Sequence, residues 1–354
     1  MTAVVEQVEL VDLRAKTRPG DHSFFVGVRA DGRRGWCGPV AASVARVVAE
    51  ALADAVLGAP VADRWTLIDR LRTKARHSRA STDRRTAPWA IGVLDCALWD
   101  LHGHLTGQPV AGLLSQHLVD SVAAYASWLT FDLTAPSAGE EITRVARDGW
   151  QFTKWGLRSV PGSGSGSETS DLHTIAMRVA QWADGLAAFD AVSTWDTALA
   201  RDFARTDLTW LLWLEDPLPN EFDGNYRRLG SAGLPLALGE HVLVDDEPDD
   251  LFTLSGLRAF TVDVIGCDGL TQAVDLISVA RAHRIDVVPH GRSLIPALHL
   301  AATHPDIGPC VEYQVPSEPR RQSLYAQPRA PKHGRIMVGQ APGLGLAPRR
   351  SSAR

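Results

Sequence analysis

No apolar run in the 354-residue chain is long enough to cross a bilayer, so no membrane span is expected. The opening segment, MTAVVEQVELVDLRAKTRPG, carries acidic side chains within its apolar pattern and lacks the hydrophobic core of a signal peptide. Cysteine is scarce. Cys37, Cys96, Cys267 and Cys310 are scattered, with no pair spaced as a zinc knuckle or redox motif, and read as free thiols in a reducing compartment. An excess of one charge is lacking too. A net charge of -5 gives no electrostatic case for nucleic acid or an anionic membrane as partner. A cytoplasmic protein is expected. The Walker pattern is absent, and in VPGSGSGSETSD (Val160 to Asp171) Ser167 stands where the third glycine of a dinucleotide fingerprint belongs.

What is present is ordinary globular composition, 45% hydrophobic and 22% charged, over enough length for a large domain and a smaller one. From about Ser121, apolar strand patterns alternate with amphipathic helical ones. The strands are VAAYAS, QFTKW, GLAAFD, TWLLWLED, LPLALGE, LRAFTVD, IDVVPH and CVEY. Near-continuous apolar strands separated by helices argue for parallel pairing covered on both faces, and so many units in so short a span favour a closed barrel over an open doubly wound sheet. The glycine-rich stretch from Val160 reads as a flexible loop over the barrel mouth. Earlier in the chain, SFFVGVRADGRRGWCG reads as two strands about an Asp31-Gly32 turn, with helices near 41–57 and 87–105. The tail from about Val315 shows no clear helix and is a candidate to pack back on the first domain.

In a barrel, chemistry sits at the C-terminal strand ends. Those ends are Lys154, Asp190, Glu215, Glu240, Asp263, His290 and Glu312, all ionisable. From Asp190 to His290 they recur about one strand-helix unit apart, which puts them on neighbouring strands facing one mouth. Any single carboxylate there is commonly a helix cap or surface charge. Together, Asp190, Glu215 and Glu240 would repel one another without a cation, and oxygen-only ligands suit Mg²⁺. Asp263 ends the strand before His290, so the two form a candidate acid/base pair. Glu312 either donates a hydrogen bond in its protonated form or simply binds a neighbouring Arg or Lys.

These residues, with TAPWAIGVLDCALWDLHGHLTGQPVAGLL, FDAVSTWD, LLWLEDPLPNEFDG, LPLALGEH, TVDVIGCDGLT, VVPHG and GRIMVGQAPGLGL, resemble the enolase superfamily over nearly the full length. Within it, the chain is similar to the mandelate racemase-like subgroup of acid-sugar dehydratases, most of all to the rhamnonate dehydratase branch. The resemblance implies a modified TIM barrel, (β/α)7β, with an α+β N-terminal capping domain. It implies a cap over 1–118, a barrel over 119–314, and a segment over 315–354 returning to the cap. It also implies Mg²⁺ at Asp190, Glu215 and Glu240, a His290–Asp263 dyad, and Glu312 as donor to the substrate carboxylate. A homo-oligomer, dimer or octamer, would follow.

One departure bears on the reaction. The family's second strand commonly ends in Lys-x-Lys; here FTKWGLR puts Lys154 at the first lysine and Gly156 at the second. A racemase needs a base on each face of the α-carbon, so a one-base reaction is favoured. The expected activity is dehydration of a sugar acid, through an enediolate, to a 2-keto-3-deoxy acid. His290 is then the base, and either His290 or His241 the acid. Lys154 and Arg158 either contact substrate or form rim salt bridges, while Trp155 and Arg292 shape the pocket and Lys16–Ser23 closes over it. A racemase or epimerase using Lys154, and a non-catalytic carboxylate-binding protein, are the alternatives.

Overall fold

The computed structural model describes residues 3–13, 23–76, 85–159, 165–219, 224–240, 248–306, 308 and 310–349. Its first strands, β1 (Gln7–Asp12), β2 (Phe24–Ala30) and β3 (Arg33–Val40), form an antiparallel sheet in that order. Asp31 and Gly32, at φ 45 and 71, make the left-handed turn that a tight hairpin requires. The sheet packs on the helix Thr86–Thr106. Gly35 permits the contact, because a Cβ there would lie 2.2 Å from the Ala97 carbonyl oxygen. The helix after β3, expected over 41–57, runs from Ala42 to Val56 but is interrupted by a π turn at Val48–Leu52.

All eight expected barrel strands form. They are β4 (Ser121–Trp128), β5 (Thr153–Gly156), β6 (Ala187–Asp190), β7 (Leu211–Glu215), β8 (Leu236–Leu238), β9 (Leu257–Phe260), β10 (Asp286–Val287) and β11 (Cys310–Gln314). They pair in parallel in the order β10-β9-β8-β7-β6-β5-β4-β11. The two ends are joined by the Glu312 amide, which donates to the Pro289 carbonyl at 3.2 Å. A helix follows each of the first seven strands, so the barrel is (β/α)7β, capped by the N-terminal α+β unit. The interior is filled by small residues against a few large ones: Ala188, Ala237 and Ala259 against Tyr125 and Trp213.

The tail is more ordered than its sequence suggests. It carries a short helix, Glu318–Gln322, and β12 (Arg335–Met337), which pairs antiparallel with β4. Tyr325 donates its hydroxyl to the Gly38 carbonyl at 2.9 Å, and the Asp100 carboxylate accepts from both Trp36 and Leu344 amides. The tail thus lies against the N-terminal sheet and its helix. The stretch read as a loop from Val160 is helical from Ser165, within a helix that runs to Trp182; its residues 160–164 lie outside the described residues. Among the described residues, no helix is long and apolar enough to cross a membrane.

Candidate active site

Strand alternation decides which side chains enter the barrel. On β5, Lys154 points inward and Trp155 outward. Lys154 is 0% exposed, while Trp155, at 1%, packs on Trp128 and Phe131 in the outer core. This corrects the expectation that Trp155 lines the pocket: its odd step from Lys154 puts it on the opposite face. Asp190 and Glu215 close β6 and β7 and stand side by side in register. Just beyond these ends, Val192, Ser193 and Asp216 take left-handed backbone, which turns the chain sharply away from the sheet. Gly239, at φ 144, precedes Glu240. A Cβ there would sit 2.5 Å from the Phe260 ring, so only glycine lets the chain turn Glu240 into the mouth.

The inward groups converge. Lys154 Nζ lies 2.5 Å from Glu215 Oε2, 3.1 Å from Glu312 Oε1 and 3.8 Å from Asp190 Oδ2. His290 Nε2 lies 3.5 Å from Glu240 Oε2 and 3.4 Å from Glu312 Oε2, while its Nδ1 faces Asp263 Oδ2 at 3.5 Å. Arg292, with 40% of its side chain exposed, sits at the mouth, 3.6 Å from Glu240 and over the Trp89 ring. Arg158 is exposed and makes no ion pair among the described residues, so the structure does not bring it to the cluster. His241 lies outside the described residues, as does the 16–23 loop apart from Ser23.

Burial and like charge raise the carboxylates on one side of this cluster. Asp190 is pushed up to about 7 by burial and by Glu215, against the pull of Lys154. Glu215 is raised chiefly by burial, with Glu312 adding to the rise and Lys154 opposing it. Asp216 is raised well above the usual range by burial and its acidic neighbours. On the other side the balance reverses. Burial works to lower His290, but Glu240, Glu312 and Asp263 outweigh it and hold it at about 9. Burial works to raise Asp263, but its contacts with His290, Arg292 and Ser293 hold it below the usual carboxylate range.

Glu312 stands between two basic groups, Lys154 and His290. Burial favours the neutral acid, yet Lys154 and His290 hold its carboxyl well below the usual range. Its Oε2 also accepts the Gly291 amide at 2.7 Å. Glu312 thus contacts a neighbouring lysine and accepts a backbone amide.

Asp190 stands in register beside Glu215, and a further carboxylate, Asp216, also converges. Glu215, Asp216 and Glu240 each offer an oxygen within 4.8 Å of the others and could together hold a metal ion; Asp190 joins the cluster through Lys154. Three residues escaped the sequence reading. Asp216 is adjacent to a strand-end glutamate. Gln314 lies two positions past Glu312, hence on the same strand face, and its Nε2 reaches to 3.4 Å from His290 Nε2. Ser293, three positions past His290, donates to Asp263 Oδ1. Strand periodicity could have found Gln314; the other two needed the loop geometry.

Two family models cover most of the chain. Residues 5–115 match the N-terminal domain of mandelate racemase / muconate lactonizing enzyme, and residues 138–352 match the enolase C-terminal domain-like model. Among solved structures, a mandelate racemase/muconate lactonizing enzyme-like protein from Rubrobacter xylanophilus DSM 9941 superposes with a TM-score of 0.83 at 24% identity, over 99% of this chain and 96% of that one. The 3,6-anhydro-D-galactonate cycloisomerase from Zobellia galactanivorans gives 0.79 at 22% identity, over 97% and 96%. A racemase from Streptomyces coelicolor A3(2), solved with bound magnesium, gives 0.77 at 20% identity, over 98% and 97%. With both domains matched in order around one cluster of acidic groups, the chain belongs to the mandelate racemase/muconate lactonizing enzyme family of the enolase superfamily.

Proposed function

We infer that the protein is a Mg²⁺-dependent lyase that removes the α-proton and 3-hydroxyl of a sugar acid to give a 2-keto-3-deoxy acid. One observation carries the choice of reaction. Gly156 pairs with Asp190 at the height of the acidic cluster, and a Cβ there would lie 2.2 Å from the Leu129 carbonyl oxygen. Backbone, not a side chain, fills the place of a second base, and a lysine could enter only by displacing the loop after β4. A racemase needs bases on two faces; a syn elimination needs one. The FTKWGLR strand end is most like the rhamnonate dehydratase branch, and the substrate is a small carboxylate with hydroxyls on its second and third carbons. Residues 1–118 serve as the cap, 119–314 as the barrel and 315–354 as the returning segment, a division supported by the Tyr325–Gly38 and Leu344–Asp100 contacts.

The residues present fit a hard divalent cation. The candidate ligand atoms are carboxylate oxygens, repulsion and burial raise the pKa values of Asp190, Glu215 and Asp216, and Glu215 Oε1 is buried without a hydrogen-bond partner among the described residues. Glu215 and Glu240, completed by Asp190 or Asp216, would hold Mg²⁺. Bound there, it supplies positive charge to the substrate carboxylate as negative charge builds during proton removal. In its neutral form, which a cation held by Glu240 would favour, His290 Nε2 takes the α-proton, and Asp263 holds the other ring nitrogen. The electrons of the C–H bond form the C=C bond as the C–O bond to the 3-hydroxyl breaks. His290 returns its proton to the departing hydroxide, which leaves as water, and the enol tautomerises to the keto acid.

A panel of acid sugars assayed with Mg²⁺ for 2-keto acid formation tests the reading. Turnover is expected in the wild type and absent in His290→Asn, which still binds Mg²⁺ by calorimetry. Exchange or inversion of the α-carbon in D₂O without loss of water would make the protein a racemase instead. A blank across the panel would favour a carboxylate-binding protein.

A further inference from the structure

We propose that Ser293 is a positioning residue whose hydroxyl fixes the Asp263 carboxylate so that one of its oxygens is left for the His290 ring. The proposal rests on the His290–Asp263 dyad inferred above. Asp263 Oδ1 accepts three hydrogen bonds: from the Ile265 amide at 3.1 Å, from the Gly266 amide at 3.0 Å, and from Ser293 Oγ at short range. Asp263 Oδ2 has no hydrogen-bond partner among the described residues, and it is the oxygen that faces His290 Nδ1 at 3.5 Å. The two oxygens therefore have separate tasks. One anchors the carboxylate and the other is presented to the ring.

The two amides alone would leave the carboxylate tied only to its own loop. Ser293 belongs to the same segment as His290, one turn further on, and after the Gly291–Ser293 3₁₀ turn its hydroxyl reaches the Asp263 carboxylate. One carboxylate oxygen is thus bonded to the His290 segment while the other faces its ring, which restricts movement of the ring relative to its partner. Ser293 is 1% exposed, so water does not compete for the bond. Its Oγ also accepts the Ile265 amide at 3.1 Å, which fixes the hydroxyl proton toward Asp263.

The Asp263 loop has other supports. The Cys267 amide donates to the Asp263 carbonyl at 2.9 Å, and Asp95 grips Thr271 at the loop's far end. Removing one hydroxyl should leave the loop folded while loosening the carboxylate. A purely structural Ser293 would serve only to satisfy the buried Ile265 amide, and the test separates the two roles.

Proton NMR of the full-length protein, with ¹⁵N-histidine labelling, reads the Nδ1 proton of His290; the resonance is assigned by its loss in His290→Asn. The wild type is expected to show it at low field, as for a ring nitrogen bonded to a carboxylate. Ser293→Ala is expected to shift it upfield or lose it to solvent exchange, and Ser293→Thr, which keeps the hydroxyl, to retain it. If alanine prevents folding, Ser293→Cys, a weak donor of similar size, carries the same readout. A low-field resonance unchanged in the folded variant would overturn the positioning role and leave the dyad standing. No such resonance in the wild type would overturn both.

Discussion

Lys154 is a buried cation held among three carboxylates. Its ammonium is fully buried and touches Glu215, Glu312 and Asp190. A buried charge of this kind is costly unless paired, and removing one partner leaves the others uncompensated, typically at a cost of about 3–5 kcal/mol. Lys154→Met should therefore lower stability by that order in metal-free buffer. The same change leaves more net negative charge at the mouth, so added Mg²⁺ should raise the melting temperature of the variant more than that of the wild type. Calorimetry with and without Mg²⁺ checks both; equal metal-induced shifts would separate Lys154 from the cation site. The identities of these groups were legible in the sequence, because each follows an apolar strand. Their protonation was not. Lys154 favours the ionised form of Glu312 because it reaches it from another strand, a distance that residue order does not encode.

Between elements, the helix Thr86–Thr106 holds the loop that carries Asp263. The helix Leu270–His283 has Gly269 at its N-cap, which offers no side-chain oxygen. Asp95 takes that task from outside. It accepts the Thr271 amide at 2.9 Å and the Thr271 hydroxyl at 2.6 Å. Gly92 lets the two elements meet, since a Cβ there would sit 1.9 Å from the Ile265 carbonyl oxygen. Asp95→Ala should cost about 1–2 kcal/mol, the order of a lost cap, and Asp95→Asn less, because one acceptor oxygen remains. Urea unfolding measures both; equal losses would argue against capping. The pattern LDCALWDLHG announced this helix but gave no reason for its acids. Asp95 and Asp100 read as helix charges until a second helix, a strand and the tail are placed beside them. The tail shows the same limit. Its short helix and β12 are too brief for periodicity to reveal, and they form because β4 and the N-terminal sheet offer partners.

Across the whole molecule, His299 joins three parts of the chain. It lies on the helix Leu294–Thr303, its Nδ1 accepts the Ala111 amide at 3.1 Å, and its Nε2 donates to the Leu344 carbonyl at 3.3 Å. The Nδ1 bond requires the neutral ring, because a protonated Nδ1 cannot accept. Burial, with Arg329 nearby, lowers its pKa from 6.5 to about 4. The unfolded chain therefore binds more protons than the native one between these values. The stabilising effect of the neutral ring is complete above 6.5 and is lost as pH falls towards 4, by up to about 3 kcal/mol at roughly 1.4 kcal/mol per unit. His299→Gln can keep both hydrogen bonds without titrating, so its stability should fall less steeply with acid. Denaturation series at several pH values measure the difference between the slopes; identical slopes would remove His299 from the acid response.

Residue order alone established the strand-helix alternation, the barrel it implies and the ionisable groups that end its strands. Those signals are local or periodic, and burial on one face or two leaves them in the sequence. Three-dimensional packing alone decided that Trp155 turns away from the mouth, that Asp216 converges with Glu215 and Glu240, and that backbone fills the space beside Gly156. Each of these depends on what a distant segment places within a few ångströms, and contact at that range is a property of the closed barrel.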